Sequence, residues 1–84
     1  MNQKEEEFGL TARINMNWDE EAKVWIATSD DVPGLVLESG SFDALVERVK
    51  IAIPEMMELN GGRNESYHLT YTAHREDRIV AYSQ

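Results

Sequence analysis

Cysteine is absent from this 84-residue chain, which removes disulfides, thiolate metal sites and cysteine nucleophiles at one stroke. Long apolar runs are missing too. None exceeds four residues, far short of the ~20 needed to cross a bilayer. Basic residues are scarce, 8 Lys and Arg against 16 Asp and Glu, for a net charge of −8 and a pI near 4.6. Such a balance repels phosphate backbones and anionic lipid surfaces, so direct nucleic-acid or membrane binding is disfavoured. Residues 1–7 are polar and acidic where a secretory signal would be basic and then apolar. Together these absences predict a cytoplasmic protein. Eighty-four residues give room for one core only, and a domain this small buries about 60–65% of the surface its unfolded chain exposes. Without disulfides or metal, oligomerisation is the remaining aid to stability, and a homodimer is expected.

Residues 1–7 read as a flexible acidic arm and 8–84 as a single domain. Phe8, Leu10, Ala12, Ile14, Met16 and Trp18 share one parity, with Gly9, Thr11, Arg13, Asn15 and Asn17 on the other. That period of two is a half-buried strand. After a polar turn at 19–23, residues 24–29 form a second strand rich in β-branched and aromatic types, an antiparallel hairpin with the first. Asp30-Asp31-Val32-Pro33-Gly34 ends it: proline presets φ near −65° and glycine supplies φ > 0, the chemistry of a type II turn. Residues 35–39 make a short third strand. Ser41 then caps a helix, with Asp43 in the first turn where the dipole favours an anion. Its core face is Phe42, Leu45, Val46, Val49, Ile53 and Met56. Pro54 predicts a kink or a break and restart near Ala52-Ile53, and Asn60-Gly61-Gly62 stops the helix. A fourth strand spans about 67–73, and residues 79–82 extend it or form a fifth.

The predicted architecture is α+β, β-β-β-α-β(β), an antiparallel-rich sheet with one helix packed on one face. The other face meets water or a partner. Strand two is apolar on both parities, Val24 and Ile26 against Trp25 and Ala27, and the hairpin register decides which pair meets the helix.

Little else carries chemistry. His68 lies opposite in parity to the apolar set of its strand and His74 sits beside the charged 75–78 turn, so the two do not share a ligand sphere. Ser29, Ser39, Ser41, Ser66 and Ser83 lack the setting of a nucleophile elbow, and no phosphate-cradling loop occurs. On the helix, Ala44, Glu47, Ile51, Glu55 and Glu58 lie away from the core. Ile51 is the apolar member of that acidic face, placed to anchor a basic partner that the acids would steer.

Trp18-Asp19, Glu21-Ala22, Val24-Trp25, Ala27, Ser29-Asp30-Asp31, Pro33-Gly34-Leu35 and Glu38, then a helix with Ser41 and Leu45, then Ile53-Pro54-Glu55, resemble the small stand-alone HicB-like domains, a branch labelled a domain of unknown function. The resemblance covers about residues 8–60. It implies a truncated ribonuclease-H-like fold and, for HicB proper, neutralisation of a small, basic, RNA-cleaving HicA toxin. Two features depart from HicB antitoxins. The DNA-binding segment that such antitoxins often carry is not expected from Ser83-Gln84, and the helix begins Ser-Phe-Asp-Ala-Leu where antitoxins more often show Thr-x-Glu-Glu-Ala.

Ribonuclease-H chemistry requires several carboxylates on two metal ions. The first strand, Phe8 to Trp18, holds no acid, and adjacent Asp30 and Asp31 point to opposite faces if extended. The expectation is therefore a non-enzymatic protein-binding domain, antitoxin-like, with no cofactor and no metal. Its partner-binding candidates are Trp25, Asp30, Asp31, Glu47, Ile51 and Glu55. A residual metal-dependent nuclease and a self-associating domain with no toxin partner are the alternatives.

Overall fold

The computed structural model describes residues 9–59, 61 and 66–82. The acidic arm 1–7, Phe8, Asn60, Gly62 and Ser83 lie outside them. Five elements follow in order: β1 (Leu10–Asp19), β2 (Val24–Thr28), β3 (Val36–Ser39), α1 (Phe42–Leu59) and β4 (Tyr67–His74). They build an α+β fold, a four-stranded sheet in the order β3-β2-β1-β4 with one helix. β1–β2 and β2–β3 are antiparallel, whereas β4 runs parallel to β1. Two antiparallel steps make β3 parallel to β4, and a parallel connection needs a crossover, which α1 supplies from one sheet edge to the other.

The hairpin register pairs Trp18 with Trp25 and Met16 with Ala27. Directly paired residues share a face, so Trp25 and Ala27 join Ala12, Ile14 and Met16 on the covered side. Val24 and Ile26 go to the open side with Asn17 and Asp19. The core contains Ala12, Ile14, Met16, Ala27, Val32, Leu35, Leu45, Val49 and Ile53, all buried. Leu45, Val49 and Ile53 fall at the expected helical spacing. Each aliphatic side chain of that size contributes about 1.5–3 kcal/mol on full burial.

Local chemistry sets the connections. The Asp19 carboxylate accepts from the N–H of Glu21 (3.0 Å) and of Ala22 (3.2 Å), and Lys23 closes the loop at φ 59° by donating its N–H to the Asp19 carbonyl (2.8 Å). In the turn before β3, Leu35 N–H donates to Val32 C=O (3.2 Å) around Pro33 and Gly34, and Gly34 sits at φ 86°. That is the type II geometry, with glycine where φ must be positive. Ser41 Oγ accepts the Ala44 N–H at 3.2 Å, capping α1. Gly61, at φ 87°, donates to the Glu58 carbonyl at 3.0 Å as the helix ends.

Two sequence expectations require correction. Of the kink or break expected at Pro54, the break near Ala52-Ile53 does not occur: the helix carries on through Pro54 as one element. Pro54 and Lys50 are both exposed, so the Lys50 carbonyl left without its helical donor lies on the solvent side, where water serves it. And no strand forms over 79–82: β4 ends at His74, and residues 75–82 are exposed without strand pairing. In the β1–β4 register, which sets Leu10 against Tyr67, residues 79–82 would lie opposite 22–25, past the end of β1 at Asp19, so they have no β1 residue to pair with.

Candidate protein-binding site

The six candidate residues fall in three places. Trp25 is on the covered face, half-buried, its ring edge-on to Phe42 (centroids 5.0 Å) and to Trp18 (5.4 Å). The Arg75 guanidinium lies 4.2 Å from the Trp18 ring centroid and 6.0 Å from that of Trp25. This cluster closes the end of the sandwich between sheet and helix, so Trp25 is a packing residue.

Asp30 and Asp31 sit on the opposite, open face, in a polar cleft of about 440 Å³ lined also by Thr11, Arg13 and Asn15. The bonds there explain why the loop needs these residues. Odd-numbered residues of β1 turn their backbone toward β2, and the β2 ladder stops at the Asn15–Thr28 pair. Arg13 is the next β1 residue on that side. Its N–H donates to Asp31 Oδ2 at 2.8 Å, and its carbonyl accepts from Ser29 Oγ at 2.6 Å. Ser29 Oγ in turn accepts the Asp31 N–H at 3.0 Å. Two side chains thus replace the missing ladder rung and pin the Asp-Asp-Val-Pro-Gly loop to the sheet. Among the described residues, no three His, Asp or Glu side chains converge to hold a metal ion.

The third place is the flank where α1 lies beside β3. Leu37, Arg48, Ile51, Ala52 and Glu55 line a shallow groove of about 190 Å³. Ile51 and Glu55, one turn apart, both belong to it. Glu47, one turn earlier, stands beside it on the outer face of α1 and pairs with Lys50 at 3.1 Å. Ile51 is 66% exposed, a large apolar side chain with no packing task in the domain. Arg48 Nη1 donates to the Glu38 carbonyl at 2.6 Å, tying helix to sheet edge and fixing the groove floor. Sequence periodicity had already marked Glu47, Ile51 and Glu55 as one outer face. Leu37 and Arg48 were not singled out, since the β3–α1 approach that joins them is a tertiary fact.

The architecture and the loop that pins it can now be set beside known proteins. Residues 11–83 match the family described as Domain of unknown function (DUF1902). The chain belongs to the DUF1902 family. A solved structure similar to this DUF1902 chain is that of a hypothetical protein from the extremely thermophilic bacterium Thermus thermophilus. The two share 36% identity at a TM-score of 0.70, over 82% of this chain and 99% of that one. No curated protein matches. No helix among the described residues of this DUF1902 domain is long and apolar enough to cross a membrane.

Proposed function

We propose that this domain is a non-enzymatic protein-binding module of the cytoplasm whose β3–α1 groove receives a small basic protein. By its likeness to HicB-like domains, the leading role is antitoxin-like: occupying and neutralising a small, basic, RNA-cleaving toxin. The observation that carries the reading is Ile51, exposed on the groove wall between Glu47 and Glu55 in a chain of net charge −8. An apolar anchor flanked by an acid one turn before it and one turn after has the form of a hot spot with an electrostatic rim.

Rim and anchor act on different rate constants. Acidic residues speed the encounter with a basic partner, an effect screened beyond about 10 Å at 0.1 M salt. A buried anchor slows escape, and losing one costs about 2 kcal/mol, roughly 30-fold in dissociation. The test reads the adjacent open reading frame and takes its product, expected to be small and basic, into surface plasmon resonance and an RNA-cleavage assay. Added salt, or Glu47→Lys with Glu55→Lys, slows association; Ile51→Asp speeds dissociation and restores cleavage by the partner. Binding that ignores all of these substitutions, or a partner whose cleavage is unaffected by a stoichiometric amount of this domain, overturns the reading.

A further inference from the structure

We infer that two copies of this chain join along the free edge of β4, antiparallel about a twofold axis, so that their sheets merge into one of eight strands. The argument starts from the backbone. β4 is the last strand on its side of the sheet. Leu10 N–H donates to the Ser66 carbonyl at 3.0 Å, with Leu10 registered against Tyr67. In a parallel ladder this phase directs the backbone of even-numbered β4 residues to β1. The N–H and C=O groups of Leu69, Tyr71 and Ala73 consequently point to the open edge.

Among the described residues, β4 itself carries none of the guards usual within an edge strand. Exposed edges are blunted by shortness, proline, bulges or charge, lysine above all. β4 spans eight residues, Tyr-His-Leu-Thr-Tyr-Thr-Ala-His, with no proline, glycine, lysine, arginine or acid. The opposite edge is guarded: β3 has four residues, includes Glu38, and has the Glu38 carbonyl already taken by Arg48.

Charge selects the occupant. Two chains of net charge −8 repel, so copies meet most readily along an edge that itself carries no acid. β4 is the uncharged edge strand, whereas β3 and the outer face of α1 carry Glu38, Glu47, Glu55 and Glu58. A basic partner finds nothing on β4 to steer it. A second copy finds its own pattern, since an antiparallel twofold sets His68, Thr70, Thr72 and His74 against one another on the open face. On the covered face it sets Leu69, Tyr71 and Ala73 against themselves.

Residues 75–82 follow β4 in the chain and are all exposed. Ile79, Val80 and Tyr82 are 86%, 63% and 85% exposed, three large apolar side chains within four residues. Leu59, at the end of α1, is exposed as well. Apolar surface that has no use in one copy is covered in two.

Sedimentation equilibrium and hydrogen exchange on the full chain test this. The expected mass is twice 9.6 kDa, and the amides of Leu69, Tyr71 and Ala73 exchange as slowly as those of Thr70 and Thr72. Thr70→Lys with Thr72→Lys, both at exposed positions, weakens association at least about tenfold while the far-ultraviolet circular dichroism stays that of the folded chain. These lysines lower the net negative charge, so general repulsion alone predicts the opposite sign. Ile51→Asp leaves the dimer intact, which separates this interface from the partner groove. A monomer at high micromolar concentration overturns the inference. So does a dimer that tolerates both lysines, leaves the Leu69 and Tyr71 amides fast, or is lost on Ile51→Asp.

Discussion

Asp31 gives its carboxylate to the Arg13 N–H, and Ser29 its hydroxyl to the Arg13 carbonyl, 18 and 16 residues away in sequence. Both aspartates of the loop were legible as turn formers, but the strand residue that Asp31 reaches was not, because nothing local identifies where the β2 ladder stops. Ser29→Ala removes both the bond to Arg13 and the acceptor for Asp31 N–H. The expected loss is about 1 kcal/mol in urea unfolding, each net hydrogen bond contributing about 0.5–1.5, with faster amide exchange at Arg13 and Asp31. Tyr71 shows the opposite case, a hydroxyl buried against the helix side of β4 with no hydrogen-bond partner among the described residues. Burial raises its pKa above 10.0, with Lys50 pulling it down and Glu47 pushing it up. The native state thus holds this proton more tightly than the unfolded chain does. Its contribution is present in full below about pH 10 and is lost as pH rises through the higher native value. Tyr71→Phe sacrifices no bond, so its thermal midpoint at neutral pH is unchanged or higher. Melts above about pH 10 then show a shallower alkaline loss than the parent.

At the scale of elements, each strand of the hairpin and the helix announced itself through period and caps, and their ends moved by one or two residues. The helix through Pro54 is the instructive exception. Proline removes one helical bond and crowds the preceding turn, a cost of about 3 kcal/mol in an unconstrained interior. Ile53, buried, and Met56, packed against the core, hold the backbone on either side of it, so sheet contacts override the local preference. Pro54→Ala therefore stabilises the domain by about 1–2 kcal/mol, less than the full proline cost because the unfolded chain regains freedom. Chemical denaturation checks it, and a lower midpoint would mean the ring itself is needed for packing. β4 shows the reverse: the apolar residues at 79–82 look like strand, yet β1 ends before it could pair with them.

For the whole molecule, one net charge sets two opposite salt responses. Association with a basic partner at the β3–α1 groove slows as salt rises, since screening removes attraction. Self-association along the uncharged β4 edge tightens as salt rises, and again as pH falls toward the pI near 4.6, since both diminish repulsion between like chains. Sedimentation at low and high salt, run beside binding kinetics under the same conditions, reads both signs. Two responses of the same sign would mean that one surface serves both contacts.

The sequence alone determined the element order, the type II turn at Pro33-Gly34, the Ser41 cap, the core face of α1 and the acidic outer face around Ile51. All of these depend on residues within a few positions of one another, where period, φ preference and capping chemistry act. Only the tertiary structure decided that Trp25 faces the helix and Ile26 the open side, because a one-residue slip in hairpin register exchanges the two faces. It also decided that Leu37 and Arg48 complete the groove, that Asp31 caps β1, and that β4 lies parallel to β1 with its outer edge free. Each of those is a pairing across the sheet or between sheet and helix, set by which apolar surfaces close on each other.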